Sequence, residues 1–374
     1  LITEKSPTFI IAEIGNNHNG SIDLAKKLVD LAQDAGADCV KFQMRDMQSL
    51  YKSGSGNDDS ADLGTQYTLD LLSKFQLSND ELFDVFDYCK SKNLTPLCTP
   101  WDESSLGRLE DYGMELYKVA SADLTNHKLL SELIKTGKPL ICSTGMSTEN
   151  EIIKTSNFLQ RKGATFCFLH CNSTYPTPFK DINLNYLSRL CEISGSFVGY
   201  SGHERGNFIP VAAVAKGAKI IEKHFTIDRS MEGNDHKVSL LPNEFKEMVQ
   251  NIRSLEESLG RTEARHITQG ELLNRESLSK SLIAKKYIEE GSVISNDMID
   301  VKSPGQGLQP IYLNELVGRA AKRNYKPGDY FYESDLEDKK IEARNYNFTR
   351  PFGIPVRYHD FKNLSKKSNF DFVE

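Results

Sequence analysis

Four short apolar runs in this chain end in side chains that can carry protons, bind anions or hold a metal. FIIAEIG delivers Glu13, CVKFQ delivers Lys41 and Gln43, LYKVAS delivers Lys118 and Ser121, and AKIIEKHF delivers Glu222 and His224. The loop after the last run, TIDRSMEGNDH, closes on Asp235 and His236. Other apolar runs end in Thr99, Ser143, His170, Ser201 and His203. If the runs are strands, alternate residues share a face. Ile11, Glu13 and Gly15 then point one way, as do Cys39, Lys41 and Gln43, and Ile220, Glu222 and His224. A buried isolated charge is costly unless paired. Two inward lysines with a ring of Ser and Thr donors suit a ligand that carries phosphate and carboxylate. A lysine that snorkels or pairs with a carboxylate is the plainer alternative. His203 and His224, at the ends of consecutive runs, suit a transition metal. Water, a carboxylate or a substrate oxygen would fill the remaining positions. On spacing alone, two capping or core histidines fit equally well. Glu222 would be a third ligand or orient one. His236 reads as a solvated loop histidine without a role.

These residues need elements that gather them. Eight apolar runs recur up to Glu222: FIIAEIG, DCVKFQ, LTPLCT, LYKVAS, PLICST, TFCFLHC, FVGYS and AKIIEKHF. Amphipathic stretches separate them. SIDLAKKLVDLAQDAG places Leu24, Leu28, Leu31 and Ala32 on one stripe and ends in glycine, and NEFKEMVQNIRSLEESLG does the same with Phe245, Met248, Val249, Ile252 and Leu255. Strand and helix, eight times over, is the rhythm of a (β/α)8 TIM barrel, here spanning 1–260. Such barrels carry their chemistry at the C-terminal strand ends. A doubly wound open sheet would usually show a Gly-rich phosphate loop after an early strand, and none is found. Residues 261–280 are polar and weakly periodic and read as a linker. AKKYIEEGSVISNDMI (284–299) and AKRNYKPGDYFYESDL (321–336) match at a constant offset, which predicts a small β-rich domain with internal pseudo-symmetry over 281–338. The tail, 339–374, reads as strand, short helix and strand, the opening of a further α/β domain.

Composition narrows the partners. The 374 residues are 39% hydrophobic and 26% charged, with a net charge of −6, which suits neither a nucleic-acid groove nor an anionic membrane. No apolar stretch approaches the roughly 20 residues needed to cross a bilayer. The opening LITEKSPTF lacks the basic start and apolar core of a secretion signal. Seven cysteines, an odd number without a CxxC pair, read as small buried thiols of a reducing cytoplasm rather than a disulfide framework or zinc site.

Taken in order, AEIGNNHNG (12–20), VKFQ (40–43), CTP (98–100), YKVAS (117–121), STGMS (143–147), LHCNSTYPTP (169–178), GYSGH (199–203), EKHFT (222–226) and GNDHKVSL (233–240) resemble the sialic acid synthase family. These are nonulosonate synthases that condense phosphoenolpyruvate with the open-chain aldehyde of an N-acylated hexosamine, giving a nine-carbon 3-deoxy-2-keto acid and phosphate. The likeness runs from about Phe9 to Leu336, and its C-terminal part resembles the family's antifreeze-like SAF domain. The resemblance implies His203 and His224 as ligands of a divalent metal, most often Mn2+, with Mg2+ or Co2+ as alternatives. It implies Lys41, Thr99, Lys118, Ser121, Ser143 and Ser201 around phosphoenolpyruvate, with Gln43, Tyr175 and Asp235 facing the sugar. Glu13, Lys41, Lys118, Asp123 and Glu222 form the expected catalytic set. A domain-swapped homodimer is implied as well. Three positions depart from the family pattern: Asp123 where bacterial relatives carry Glu, Ser303 in KSPGQG where they carry Arg, and Ser173 where many carry Asn. The missing guanidinium removes a strong donor to the acceptor. With no additional basic cluster, a non-phosphorylated acceptor is expected. A Schiff-base aldolase using Lys118 or Lys41, or a non-catalytic sugar- or phosphate-binding scaffold, are the competing expectations.

Overall fold

The computed structural model describes residues 6–50, 71–260 and 262–337, together with 2–3, 350–351, 353–355 and 372–373. The chain divides into two compact units, Leu1–Thr262 and Glu263–Glu374. In the first unit eight parallel strands close into a barrel in sequence order: β1 (Phe9–Glu13), β2 (Cys39–Met44), β3 (Thr95–Pro100), β4 (Tyr117–Val119), β5 (Leu140–Ser143), β6 (Phe166–Cys171), β7 (Val198–Gly202) and β8 (Ile220–His224). The seam is made by β1 and β8, with Glu13 opposite His224 and Ile11 opposite Glu222. Glu13 also lies opposite Lys41, Gln43 opposite Thr99, and Ser201 opposite Glu222. Register alone therefore brings the polar strand ends to one level.

Alternation sorts the side chains into two cores. Inside the barrel, Ile11, Cys39, Leu97, Ile141, Cys167, Leu169 and Ile220 form an apolar plug. Two residues further along the same inward files stand Glu13, Lys41, Thr99, Ser143, Cys171 and Glu222. The barrel interior thus changes from oil to charge within one strand period. The outward files, Ile10, Val40, Phe42, Phe168 and Ile221 among them, pack beneath the helices. Burying each such large side chain contributes roughly 1.5–3 kcal/mol.

The helices follow from their caps and stripes. Helix α1 (Ile22–Asp34) starts where the Ser21 hydroxyl accepts from the Leu24 amide and buries Ala25, Leu28, Val29 and Ala32. Leu24 and Leu31, expected on the stripe, pack at its partly buried edge. Helices α2 (Asn79–Ser91), α3 (Glu103–Tyr112), α4 (His127–Lys135), α5 (Glu149–Arg161), α6 (Tyr186–Ser194), α7 (Phe208–Ala215) and α8 (Pro242–Leu259) complete the ring. Capping boxes start α2 (Ser78 with Glu81) and α5 (Thr148 with Glu151), and each cap is worth about 1 kcal/mol. Helix α8 buries Phe245, Met248, Val249 and Ile252.

Between the expected domains the structure differs from the reading of a plain linker. Helix α9 (Gln269–Leu278) forms there behind a Thr268–Glu271 capping box and buries none of its residues. Its leucines do not share a stripe, so periodicity gave no signal, while the cap was legible as T-x-x-E. Beyond it, β9 (Ser281–Ala284) pairs antiparallel with β10 (Ile299–Lys302). Isolated bridges join Ile283 to Tyr330, Ile288 to Tyr325 and Val293 to Ala320. Ile288 and Tyr325 are the same position of the two repeats, and their backbones exchange hydrogen bonds of 3.0 and 2.9 Å. The other two bridges interconvert when the repeats are swapped, so the sequence repeat is a structural pseudo-two-fold. Most of the tail lies outside the described residues. Of its described part, Gly353–Ile354 pairs in parallel with Phe372–Val373. Among the described residues no helix is long and apolar enough to cross a membrane.

Candidate active site at the C-terminal mouth of the barrel

The inward files end in a cavity of about 320 Å³. Its floor is a charge cluster. Lys41 Nζ lies 3.0 Å from Glu13 Oε2 and 3.1 Å from Glu222 Oε1. Lys118 Nζ donates to Ser143 Oγ at 2.7 Å and lies 3.8 Å from Glu222 Oε1. The Ser201 hydroxyl donates to the same Glu222 oxygen at 2.9 Å. The two lysines are therefore matched by two carboxylates, and a polyanionic ligand is not required to offset them, as the sequence alone had suggested. What a ligand would meet is a set of unfilled polar atoms. Thr99 Oγ1, Glu222 Oε2 and His224 Nδ1 are buried without a hydrogen-bond partner. Buried polar atoms are nearly always satisfied, so their convergence marks a place built for something else.

Electrostatics divides the two glutamates. Burial pushes the Glu13 carboxyl above its ordinary value, and the neighbouring Glu222 charge adds to this against the pull of Lys41. Glu222 is buried too, but Lys118, Lys41 and the Ser201 hydroxyl hold it down to about 2. One group is poised to exchange a proton and the other remains charged. Burial pulls the Lys118 ammonium below its ordinary value. Lys41, though equally buried, is raised because Glu13 and Glu222 outweigh burial.

Above this floor stand the two imidazoles, with ring centroids 5.3 Å apart. The Asn172 carbonyl accepts from His203 Nδ1 at 2.7 Å, and Nε2 faces the Tyr175 hydroxyl at 2.9 Å. Burial, with the His203 and Lys41 charges, drives His224 well below the ordinary imidazole range, which keeps it neutral. Its Nδ1 lies 3.9 Å from Asp235 Oδ2. Against the pull of burial, Cys171 and the Asn172 carbonyl raise the His203 imidazole above its ordinary value. A neutral ring such as His224, with its nitrogens oriented by neighbours, is what a divalent cation accepts. Among the described residues no three His, Cys, Asp or Glu side chains form a ready metal cage. Two imidazoles would be the core of any cation site here.

Thirteen of the fourteen expected site residues line this cavity: Glu13, Lys41, Gln43, Thr99, Lys118, Ser121, Ser143, Tyr175, Ser201, His203, Glu222, His224 and Asp235. Asp123 does not. After β4 the chain makes a 3-10 turn, Ser121–Asp123, which leaves Ser121 and Ala122 on the cavity wall and carries Asp123 away from it. There Asp123 Oδ1 accepts from Asn126 Nδ2 at 2.9 Å, and Asn126 caps helix α4. Two histidines also differ from expectation. His170 faces the helices, where its Nε2 meets the Ile182 carbonyl at 2.6 Å. It stands between the inward Leu169 and Cys171, so alternation could have placed it outward. His236 is 1% exposed rather than solvated, and it ties Thr226 to Asn19 through contacts of 2.7 and 3.0 Å.

Several wall residues were missed in the sequence. Arg45 and Trp101 stack at 4.5 Å, and Cys171, Ser173, Asn16, Met146 and Asn234 join them. Arg45 and Trp101 sit two residues beyond Gln43 and Thr99, so extending those files by one step would have found them. Gly145 closes the cradle. A Cβ there would lie 2.2 Å from Ser173 Oγ and 2.8 Å from Ser121 Oγ.

Residues 28–264 match the NeuB family and residues 279–337 the SAF domain. The N,N'-diacetyllegionaminic acid synthase of Campylobacter jejuni is 36% identical over 87% of this chain and 99% of its own length. The human N-acetylneuraminate-9-phosphate synthase is 33% identical, over 90% of this chain and 95% of its own. The crystal structure of N-acetylneuraminic acid (sialic acid) synthetase from Leptospira borgpetersenii, in complex with citrate, superposes with a TM-score of 0.65 at 33% identity, over 73% of this chain and 93% of that one. A closed eight-stranded barrel with this cluster at its mouth, followed by a pseudo-symmetric β unit, is thus no isolated arrangement: the chain belongs to the NeuB family and carries a SAF domain.

Proposed function

We propose that this protein condenses phosphoenolpyruvate with the open-chain aldehyde of an N-acylated hexosamine, forming a nine-carbon 3-deoxy-2-keto sugar acid and releasing phosphate. The observation that carries this is the pairing of Lys41 and Lys118 with Glu13 and Glu222 beneath two facing imidazoles in one cavity. The names of the relatives support the product class and differ in the sugar.

The residues divide the work. Lys118, Ser143, Ser121 and Lys41 offer cations and hydroxyls to phosphate and carboxylate. Attack by C3 of phosphoenolpyruvate on the aldehyde carbon forms the new C–C bond, turns the aldehyde oxygen into an alkoxide that takes a proton from solvent, and leaves positive charge at C2. Glu222, held ionised between its lysines, stabilises that charge. Water adds at C2 and gives one proton to Glu13, and as the C2–O bond to phosphate breaks the remaining hydroxyl proton leaves with the phosphate and C2 becomes a ketone. His203 and His224 fit a divalent cation, because the two rings face one another, the Asn172 carbonyl orients His203 through Nδ1, and the neutral His224 has an Nδ1 without a hydrogen-bond partner. Such a cation, Mn2+ in the first instance, would supply Lewis-acid polarisation of the aldehyde oxygen. Tyr175, Gln43 and Asp235 stand on the wall where the sugar would lie.

The test is incubation with phosphoenolpyruvate, Mn2+ and a panel of N-acyl hexosamines, with mass spectrometry for a keto acid. Phosphate release coupled to a new keto acid is expected. No product across the panel overturns the proposal. The depressed Lys118 favours one rival, an imine-forming aldolase. Borohydride trapping of a substrate adduct, with activity that survives chelation, would establish it instead. We further propose a domain-swapped homodimer in the cytoplasm. The exposed Leu272, Leu273 and Leu278 and seven free cysteines, six of them buried, support this. A monomer with full activity in light scattering would rule the dimer out.

A further inference from the structure

Lys223 is a charged side chain sealed in the apolar layer between barrel and helices, at 0% exposure. It neighbours Glu222 and His224 in sequence but takes the opposite face of β8. Its Nζ lies 2.8 Å from Glu204 Oε1 and also donates to the Glu204 carbonyl. Glu204 is equally buried, and its Oε2 accepts from the Tyr200 hydroxyl at 2.6 Å. A Cβ on Gly202 would lie 2.6 and 2.8 Å from the two carboxylate oxygens. The Glu204 carboxylate therefore folds back across a place that only glycine leaves open.

Such a sealed pair adds little stability over well-packed apolar residues, so its presence asks for another cause. The cause lies one residue away at both ends. Glu204 follows His203, and Lys223 precedes His224. The β7–β8 ladder ends at Gly202 opposite Lys223. Beyond that rung, no backbone pairing between the two strands sets where His203 stands relative to His224. The Lys223–Glu204 bridge begins where the ladder stops, and the Tyr200 hydroxyl anchors it to β7.

We infer that Glu204, Lys223 and Tyr200 are positioning residues that hold His203 and His224 at the spacing a divalent cation requires. This rests on the two histidines being cation ligands, as proposed above. None of the three side chains lines the cavity, so they act through the imidazoles and not on substrate.

The test titrates Mn2+ alone into chelator-treated full chain, followed by calorimetry and electron paramagnetic resonance, with Co2+ visible absorption as a report on ligand geometry. The double variant Glu204→Gln/Lys223→Met removes both charges at similar volume. It is expected to unfold cooperatively and to bind phosphoenolpyruvate in metal-free protein as the parent does. Its Mn2+ affinity is expected to fall about 10–100-fold, with a shifted Co2+ spectrum. A folded double variant with parental Mn2+ affinity overturns the inference. Should the double variant fail to fold, Tyr200→Phe decides: a weaker Mn2+ affinity supports the inference, and an unchanged one overturns it. A His203→Ala control separates the two levels. If the parent binds Mn2+ and this control does not, the histidine reading stands whatever the triad does. If the parent binds no Mn2+, both fall together.

Discussion

The barrel holds two buried Lys–Glu clusters less than a strand apart, and they are built to opposite ends. The inward cluster of Lys41, Lys118, Glu13 and Glu222 faces a cavity and leaves Glu222 Oε2 and His224 Nδ1 without partners. The outward cluster of Lys223, Glu204 and Tyr200 is closed over by helices, and both Glu204 oxygens are taken. Pairing a buried charge is a general requirement; leaving part of the pair unfilled is not. The contrast separates groups that await a ligand from groups that hold the frame.

The largest effect is expected from breaking the inward cluster at its proton-exchanging member. Glu13→Gln keeps the shape and removes the titration, and kcat should fall about 10²–10⁴-fold with little change in melting temperature, measured by phosphate release. Loss of the cation comes next. Chelation should abolish keto-acid formation, and added Mn2+ should restore it; undiminished turnover after chelation would return the aldolase to consideration. The outward cluster should answer in stability instead. Lys223→Met alone strands the Glu204 charge and should cost about 3–5 kcal/mol in urea denaturation, most of it recovered on adding Glu204→Gln. A gentler probe is acid. The folded Glu222 carboxyl titrates near 2 against an ordinary 4.5. It therefore adds stability above pH 4.5 that is lost as pH falls towards 2. Glu222→Gln should flatten that part of the stability profile. The smallest change is Tyr200→Phe, at about 1.5–3 kcal/mol for one buried hydrogen bond to a carboxylate.

Much of this was legible in the sequence. Period-two alternation identified the inward files, because it is a local property of an extended chain. It named Glu13, Lys41, Gln43, Glu222 and His224 together, and it would have named Arg45 and Trp101 if carried one step further. The repeat at 284 and 321 announced the pseudo-two-fold by its positional match at a constant offset. Asp123 lies off the cavity wall because a 3-10 turn follows β4 and alternation lapses where the strand ends. His236 was misread because its partners, Thr226 and Asn19, are brought to it by loop packing rather than by spacing. Helix α9 was overlooked because its leucines share no stripe, and among the described residues it buries none of its side chains.

The sequence by itself determined which side chains share a face, where strands and helices start, and which chemical types reach the barrel mouth, since each depends on neighbours a few residues away. Only the closed barrel decided which carboxylate meets which ammonium. Glu222 lies opposite Ile11 on one side and Ser201 on the other, and that double register sets it between Lys41 and Lys118. The same closure sealed Lys223 against Glu204 and left Lys118 facing the cavity. No local pattern distinguishes those lysines, because their burial and partners are fixed by strands and helices far apart in the chain.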